Sequence, residues 1–130
     1  MEKLKVFIAD DSVIVRERII EILSKTGIVE IIGQTGNGNE AVDSIVKLHP
    51  DVAIVDIYMP GKNGIEVLMK VKSIQPDTRV IMFTSYFLPG FREKCRKEGA
   101  DFFLESNDIG YLAEVLGIIH KRLITLKTNI

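Results

Sequence analysis

Two kinds of apolar pattern alternate along the chain. Five short runs are rich in apolar and β-branched residues, which is typical of parallel strands that are buried on both faces. Between these runs, apolar residues recur at every third or fourth position, as they do on helices with one buried face. The runs that predict strands are residues 4–9, 28–33, 52–55, 79–83 and 101–104.

A helix is predicted after each strand. In the first helix, Val15, Ile19 and Leu23 fall on a single stripe, whereas Arg16 falls outside it and is expected to be exposed. Glycine, proline and capping residues mark the ends of these segments. The helices are expected between residues 12 and 27, 39 and 50, 63 and 76, 89 and 99, and from about 108 to about 127.

Strand and helix alternate five times, which predicts a parallel sheet with helices on both faces and right-handed crossovers. The expected fold is therefore an α/β doubly wound sheet of five strands, a (βα)5 arrangement with the flavodoxin-like strand order 2-1-3-4-5. The length of 130 residues suits a single domain, which we expect to cover residues 1–130.

Composition narrows the classes of function. The chain carries 17 basic and 18 acidic residues and a net charge of −1, which argues against direct binding of nucleic acid. No apolar run approaches the roughly 20 residues of a membrane span, and the chain leads directly into its first strand, so neither a membrane partner nor a signal peptide is expected. The single cysteine, Cys95, excludes an internal disulfide, and we expect a cytoplasmic location.

Acidic and hydroxyl side chains follow four of the predicted strands. Because the carboxyl ends of parallel strands meet at one edge of a sheet, these side chains should lie close together. They are Asp10 and Asp11 after the first strand, Asp56 after the third, Thr84 and Ser85 after the fourth, and Glu105 and Ser106 after the fifth.

The chemistry of this edge points to a metal and an anion. Three carboxylates in one place repel one another and should not all stay ionised without a cation. Oxygen ligands of this kind suit Mg²⁺. The carboxylate of Asp56 could attack a phosphoryl group and become an aspartyl phosphate, while the hydroxyl of Thr84 could orient an anion near the metal.

Each of these residues also has a plain structural interpretation. Asp10, Asp11 or Ser12 could simply cap the first helix, and hydroxyl groups after a strand commonly form turns. His49 and His120 show no metal-like spacing and are expected at the surface. The placement of three acids and a hydroxyl at one edge favours a functional site over these separate explanations.

Four motifs taken together identify a family resemblance. They are Asp10-Asp11, the stretch Asp56-x-x-Met59-Pro60-x-x-Asn63-Gly64, Thr84-Ser85, and Gly99-Ala100-Asp101. With them, the chain resembles the receiver domain of bacterial two-component response regulators, the phospho-acceptor module that also includes the chemotaxis receiver. The resemblance extends over essentially the whole chain.

The resemblance implies roles for the edge residues. Asp56 would accept a phosphoryl group from a histidine kinase or a phosphotransfer protein. Mg²⁺ would be held by Asp11, Asp56 and the carbonyl of Tyr58, with Asp10 acting largely through water. Thr84 would move to bond the phosphoryl group. Such a domain is not an enzyme, beyond slow removal of its own phosphoryl group.

The resemblance also implies positions that tune the response. Ser85 is small, as the family needs beside the phosphoryl group, and Phe103 takes the place of an aromatic residue whose burial is coupled to the threonine. Tyr58 and Tyr86 stand two residues beyond the acceptor and the threonine, where the family tunes the lifetime of the phosphoryl group.

One position departs from the family. Counted from Gly99, the place of the lysine that usually follows the fifth strand is held by Ser106, which comes after Glu105. A serine cannot supply the positive charge that would bond the phosphoryl group. We therefore expect impaired switching even if Asp56 is phosphorylated.

The end of the chain bears on its output. No effector domain is expected after the fifth helix, so the chain would be a stand-alone or an excised receiver. The face formed by helix 4, strand 5 and helix 5 could meet an effector or a second copy, whereas most of the apolar stripe of helix 5 is expected simply to pack on the sheet. Leu123, Ile124 and Leu126 extend past what a five-stranded sheet covers, and they are the candidates for an interface or a cut linker.

Two alternatives to an active receiver remain open. A degenerate receiver that acts as an interaction module without phosphorylation is favoured by Ser106 and disfavoured by the intact Asp10, Asp11, Asp56 and Thr84. A flavodoxin-like cofactor binder or a small hydrolase is disfavoured, since no glycine-rich phosphate loop follows the first strand and no serine or cysteine nucleophile is paired with a histidine.

Overall fold

A computed structural model describes residues 2–85 and 88–128. The strands are β1 (Leu4–Ala9), β2 (Val29–Thr35), β3 (Val52–Val55), β4 (Arg79–Thr84) and β5 (Phe102–Glu105). The helices are α1 (Val13–Ser24), α2 (Gly38–Leu48), α3 (Gly64–Ile74), α4 (Phe91–Lys97) and α5 (Gly110–Thr128), and a short 3-10 turn, Ser106–Asp108, precedes α5.

The five strands form one parallel sheet in the order β2-β1-β3-β4-β5. This confirms the predicted doubly wound α/β fold with the strand order 2-1-3-4-5. Side chains alternate across β3: Ala53 and Val55 belong to the core under α2, α3 and α4, whereas Val52 and Ile54 belong to the core under α1 and α5. Cys95 is buried within the first of these two cores.

Polar side chains fix the start of three helices. Ser12 accepts a hydrogen bond from the backbone N–H of Val15 and caps α1. Asn37 caps α2, and Asn63 caps α3 in a reciprocal capping box with Glu66. The side chain that caps α1 is thus that of Ser12, while Oδ1 of Asp10 accepts a hydrogen bond of 2.9 Å from the backbone N–H of Ser12.

The fifth helix packs by its apolar stripe, as predicted, and differs from expectation at one histidine. Leu112 and Ile119 are fully buried, whereas Leu126 is 58% exposed beyond the edge of the sheet. His120 was expected at the surface, and this prediction is wrong, since its side chain is buried and its Nε2 lies 2.8 Å from the backbone oxygen of Glu2. The start of the chain covers this part of α5, which the helical pattern could not reveal.

The helices of the described residues do not meet the requirements of a membrane span. None of them combines the length with the apolar character that a crossing requires.

Two loops at the carboxyl edge of the sheet are joined by close backbone contact. The N–H of Gly38 donates a hydrogen bond of 2.9 Å to the carbonyl of Pro60. A Cβ atom on Gly38 would lie 1.7 Å from the backbone oxygen of Lys62, so only glycine fits there. This contact holds the loop after β3 against the start of α2.

We expect Gly38→Ala to lower the free energy of unfolding by about 2 kcal/mol or more, because the added methyl group must push two backbone segments apart. Urea unfolding followed by circular dichroism measures this change. Gly117→Ala is the matched control, since a Cβ on Gly117 in α5 would meet nothing within 4 Å. That variant should be up to about 1 kcal/mol more stable, because alanine favours the helix. Equal stability of the two variants would contradict the close contact at Gly38.

Candidate functional site

Backbone pairing brings the first two acidic residues together. The N–H of Asp10 donates to the carbonyl of Thr35 at 3.0 Å, and the N–H of Asp56 donates to the carbonyl of Ala9 at 2.8 Å. These two bonds extend the hydrogen-bond ladders that join β1 to β2 and to β3, each by one residue. Asp10 and Asp56 therefore stand side by side where β1 and β3 end.

Three carboxylates meet at this point. Oxygen atoms of Asp10, Asp11 and Asp56 all lie within 4.8 Å of one another. The side chains of Asp10 and Asp56 are buried, with 5% and 8% of their surface exposed, whereas Asp11 is exposed. The predicted acidic cluster is therefore present. Its set of carboxylate oxygens, open to solvent on one side, fits a hard cation such as Mg²⁺.

Burial and mutual repulsion favour the neutral form of these acids. Burial, followed by the charge of Asp10, raises the pKa of Asp56 from its usual 3.8 to about 7, although the N–H of Ile57 and the hydroxyl of Thr84 both favour the carboxylate. Burial also raises the pKa of Asp10. A cation bound between the carboxylates would offset their mutual repulsion and favour their ionised forms.

The threonine at the end of β4 contacts the cluster directly. Thr84 is 1% exposed, and its side chain is hydrogen-bonded to that of Asp56. The next residue, Ser85, is exposed. The structure thus places Thr84 in the site, while Ser85 lies at its rim.

The residues after β5 border the same edge. Glu105 pairs with Thr84 in the sheet, and Ser106 begins the 3-10 turn. Together with Ser85 and Asn107, these residues line a cavity of about 240 Å³. Ser106 is therefore near the acidic cluster, as predicted, and its short side chain leaves open space beside Thr84.

Aromatic residues connect α4 with the loop after β3 and with β5. Tyr58 is 42% exposed, and its ring centroid lies 6.1 Å from that of Phe91. Phe103 is half-buried, and the guanidinium of Arg92 lies 4.8 Å from the centroid of its ring. Tyr86 lies outside the described residues, so the prediction that it tunes the site has no structural counterpart here.

Arg16 is part of the site, although its place in the helical pattern predicted exposure. This prediction is wrong, since the side chain is half-buried and donates from Nη1 to the carbonyl of Asp10. Its Nε donates to the side chain of Gln34 on β2 at 2.9 Å. Gly36 leaves room for it, because a Cβ there would lie 3.0 Å from Nη1. The charge of Arg16 lowers the pKa of Asp10, which partly opposes the effect of burial.

Glycine at the start of α3 completes the site. The N–H of Gly64 donates to the carbonyl of Ile57 at 2.7 Å, and a Cβ on Gly64 would lie 1.9 Å from the backbone oxygen of Asp56. The loop after β3 therefore folds back tightly onto Asp56. The Asn63-Gly64 motif marked this turn, whereas nothing in the sequence marked Arg16.

Comparison with known proteins settles the family. Residues 6–107 match the family described as the response regulator receiver domain. The chain is a member of this family. It is therefore a receiver domain of the response regulators of two-component signalling.

Relatives of this receiver domain are larger proteins. A protein-glutamate methylesterase/protein-glutamine glutaminase of Clostridium acetobutylicum is 40% identical over 92 residues, which are 71% of this chain and 27% of that protein. A probable transcriptional regulatory protein NarL of Mycobacterium tuberculosis is 35% identical over 104 residues, which are 79% of this chain and 48% of that protein. The receiver domain thus spans half or less of the length of these curated relatives.

Solved structures agree with this assignment. A DNA-binding response regulator of the LuxR family from Staphylococcus aureus superimposes with a TM-score of 0.84 at 30% identity, covering 90% of this chain and 98% of that chain. The response regulator domain of Thermotoga maritima CheB superimposes with a TM-score of 0.80 at 30% identity, covering 92% of this chain and 96% of that chain.

The raised pKa of Asp56 makes the stability of the receiver depend on pH. In the absence of divalent cations, the folded state keeps a proton that the unfolded chain releases near pH 3.8. This contribution is complete below pH 3.8 and is lost as the pH rises towards 7, at about 1.4 kcal/mol for each unit of pKa difference as an upper bound.

Asp56→Asn removes this effect. We expect the variant to be more stable than the parent by up to a few kcal/mol at about pH 8, with a difference that shrinks towards about pH 4. Urea unfolding in EDTA at a series of pH values measures the difference. Asp43→Asn, at an exposed position of α2, is the matched control and should show no such trend. A constant difference between parent and Asp56→Asn across this range would contradict the assigned electrostatics.

Proposed function

We propose that this receiver accepts a phosphoryl group on Asp56 from a histidine kinase or a phosphotransfer protein. The observation that carries the proposal is the packing of Asp56 against two other carboxylates, within 4.8 Å, together with the contact from the Thr84 hydroxyl. A nucleophilic carboxylate, a cation site and a hydroxyl that can bond a phosphoryl oxygen are the groups that such a transfer requires.

The donor set fits Mg²⁺, which has a preference for carboxylate and carbonyl oxygens and keeps several waters. Asp11, Asp56 and the backbone carbonyl of Tyr58 would hold the ion, with Asp10 acting through water. Bound there, the ion would supply positive charge against the oxygens of the phosphoryl group. We therefore include Mg²⁺ in the proposal as the cofactor.

The transfer itself is a displacement at phosphorus. A carboxylate oxygen of Asp56 forms the new O–P bond, while the P–N bond to the donor histidine breaks and the imidazole leaves with the bonding electron pair and takes up a proton. The reaction needs Asp56 ionised, whereas burial, followed by the charge of Asp10, raises its pKa to about 7. A cation bound beside Asp56 would favour the carboxylate and therefore the reaction. The hydroxyl of Thr84, which contacts this carboxylate, would then donate to a phosphoryl oxygen.

Exposed apolar residues beside the cluster offer a docking surface for the donor. Val13 and Ile14 on the first turn of α1 are 55% and 71% exposed, and only Ser12 separates them from the two aspartates. An apolar helix face of a histidine-bearing protein could cover them and bring its phosphorylated imidazole to Asp56. This assignment accounts for two exposed apolar side chains at the rim of the site.

The output surface in this proposal is the face formed by α4, β5 and α5. Arg92 links α4 to β5, since its Nη1 donates to the carbonyl of Phe103 at 3.2 Å while its guanidinium lies over the ring. Tyr111 and Leu126 are exposed on α5, at 55% and 58%. An effector or a second copy of the chain would bind there, and the change of Thr84 on phosphorylation would reach this face through β5.

We place this receiver domain in the cytoplasm, where the domain itself would accept a phosphoryl group and would not act as an enzyme on another molecule. One observation favours a second function, that of an interaction module without phosphorylation. Ser106 and the adjacent Glu105 carry no positive charge at the position where the family has a lysine. In that case the site would be folded and would bind Mg²⁺, but Asp56 would not be modified.

Intact mass spectrometry after incubation with phosphoramidate and Mg²⁺ separates these functions. We expect the parent and Asp43→Asn to gain one phosphoryl group, and Asp56→Asn to gain none. Omission of Mg²⁺ should reduce the gain strongly, because the charge at the cluster is then not balanced.

Two outcomes would overturn the proposal. No gain in the parent, with Mg²⁺ binding intact, would assign the chain to the interaction modules. A gain in Asp56→Asn equal to that of the parent would place the acceptor at another residue.

A further inference from the structure

An open cavity lies beside the acidic cluster, where β4 and β5 end. Its volume is about 240 Å³, and it is lined by Thr84, Ser85, Glu105, Ser106 and Asn107. Thr84 thus forms part of the cavity wall, and its side chain is hydrogen-bonded to Asp56. A molecule in this cavity would lie next to the proposed phosphoryl group.

The side chains that line the cavity carry several oxygen atoms and no positive charge. It offers a carboxylate, three hydroxyls and an amide, and none of its residues is basic. The carboxylate of Glu105 is half-buried and forms no hydrogen bond or ion pair with any residue in the ranges 2–85 and 88–128. Its oxygens can therefore accept hydrogen bonds from a cationic group that comes from outside the chain.

The positive charge near the acidic cluster lies on its other side. Arg16 bonds Asp10 and Gln34, and so it stands towards β2, at the far edge of the sheet from β5. On the β5 side, the described residues that line the cavity next to Asp56 and Thr84 are Glu105 and neutral residues. The residues that line the cavity thus provide no positive charge of their own on this side.

We infer that the cavity binds a primary ammonium group from outside the chain, which pairs with Glu105 and faces the phosphoryl group on Asp56. An ammonium group suits the lining because it is compact and has three donors for the surrounding oxygens, whereas a guanidinium is planar and wider. The short side chain of Ser106 leaves the space for its alkyl stem. Binding itself depends only on the cavity, while its effect on the phosphoryl group rests on the proposed function.

Binding is tested first without phosphorylation. We expect n-butylammonium, added to the full chain with Mg²⁺, to shift the backbone amide NMR signals of Glu105, Ser106 and Asn107 in a saturable way. The matched control is butyltrimethylammonium, which has the same charge and no N–H donor, and which should leave these signals in place. No shift with n-butylammonium, or equal shifts with both cations, would overturn the inference.

Variants of the cavity sharpen this test. Ser106→Met fills the space without a charge, and Ser106→Lys fills it with an ammonium group of the chain itself, so both should lose binding of n-butylammonium. Glu105→Gln keeps the shape and removes the charge, and it should weaken binding severalfold. The dispersion of the NMR spectrum verifies that each variant is folded. Unchanged binding in a folded Ser106→Met and a folded Glu105→Gln would overturn the inference.

The lifetime of the phosphoryl group is then measured by intact mass. We expect n-butylammonium to change it severalfold in the parent, Ser106→Lys to show a changed lifetime without added amine, and butyltrimethylammonium to have no effect. Binding without any phosphorylation would refute the proposed function alone, whereas phosphorylation without binding would refute the ammonium site alone.

The source of the ammonium group is distinguished by a second ligand. A lysine blocked at its α-amino and carboxyl groups presents the same ammonium in the setting of a protein chain. Binding of blocked lysine comparable to that of n-butylammonium supports a lysine of a partner protein as the source. Binding of n-butylammonium alone supports a free small amine.

Discussion

The rest of the site depends on one constraint: the hydrogen-bond ladders between β1 and its two neighbouring strands each extend by one residue beyond the strand ends. Asp10 and Asp56 still make ladder bonds to Thr35 and Ala9, so their side chains leave the sheet at the same height and in neighbouring positions. The sheet is held by two apolar cores, one under α1 and α5 and one under α2, α3 and α4. Carboxylates that would separate in water are therefore kept within 4.8 Å by a rigid scaffold.

This enforced proximity explains the electrostatics of the site. Burial and the neighbouring acid raise the pKa of Asp56 to about 7, and only part of that effect is opposed by the Ile57 N–H and the Thr84 hydroxyl. A site with such unfavourable charge gains more from a bound cation than one made of separated acids. The same arrangement makes the stability of the receiver sensitive to pH, and it supports the proposed binding of Mg²⁺ and transfer of a phosphoryl group.

Positive charge is distributed unevenly around these acids. Arg16 contacts the backbone of Asp10 from the β2 side and lowers the pKa of that residue. On the β5 side, Ser106 and Glu105 border an open cavity without any basic residue in its lining. The inferred ammonium site follows from this asymmetry, and it would make the response of the receiver depend on a group supplied by its surroundings.

The sequence by itself determined the order of strands and helices, the sheet topology, and the meeting of Asp10, Asp11, Asp56 and Thr84, because apolar periodicity is local and parallel strands share one carboxyl edge. Only the tertiary structure decided the roles of Arg16 and His120, which were expected to be exposed and are not. Their contacts join segments distant in the chain, Arg16 with β2 and His120 with Glu2. Helical pattern specifies which face a residue occupies, whereas burial of a long polar side chain depends on what the rest of the fold places beside it.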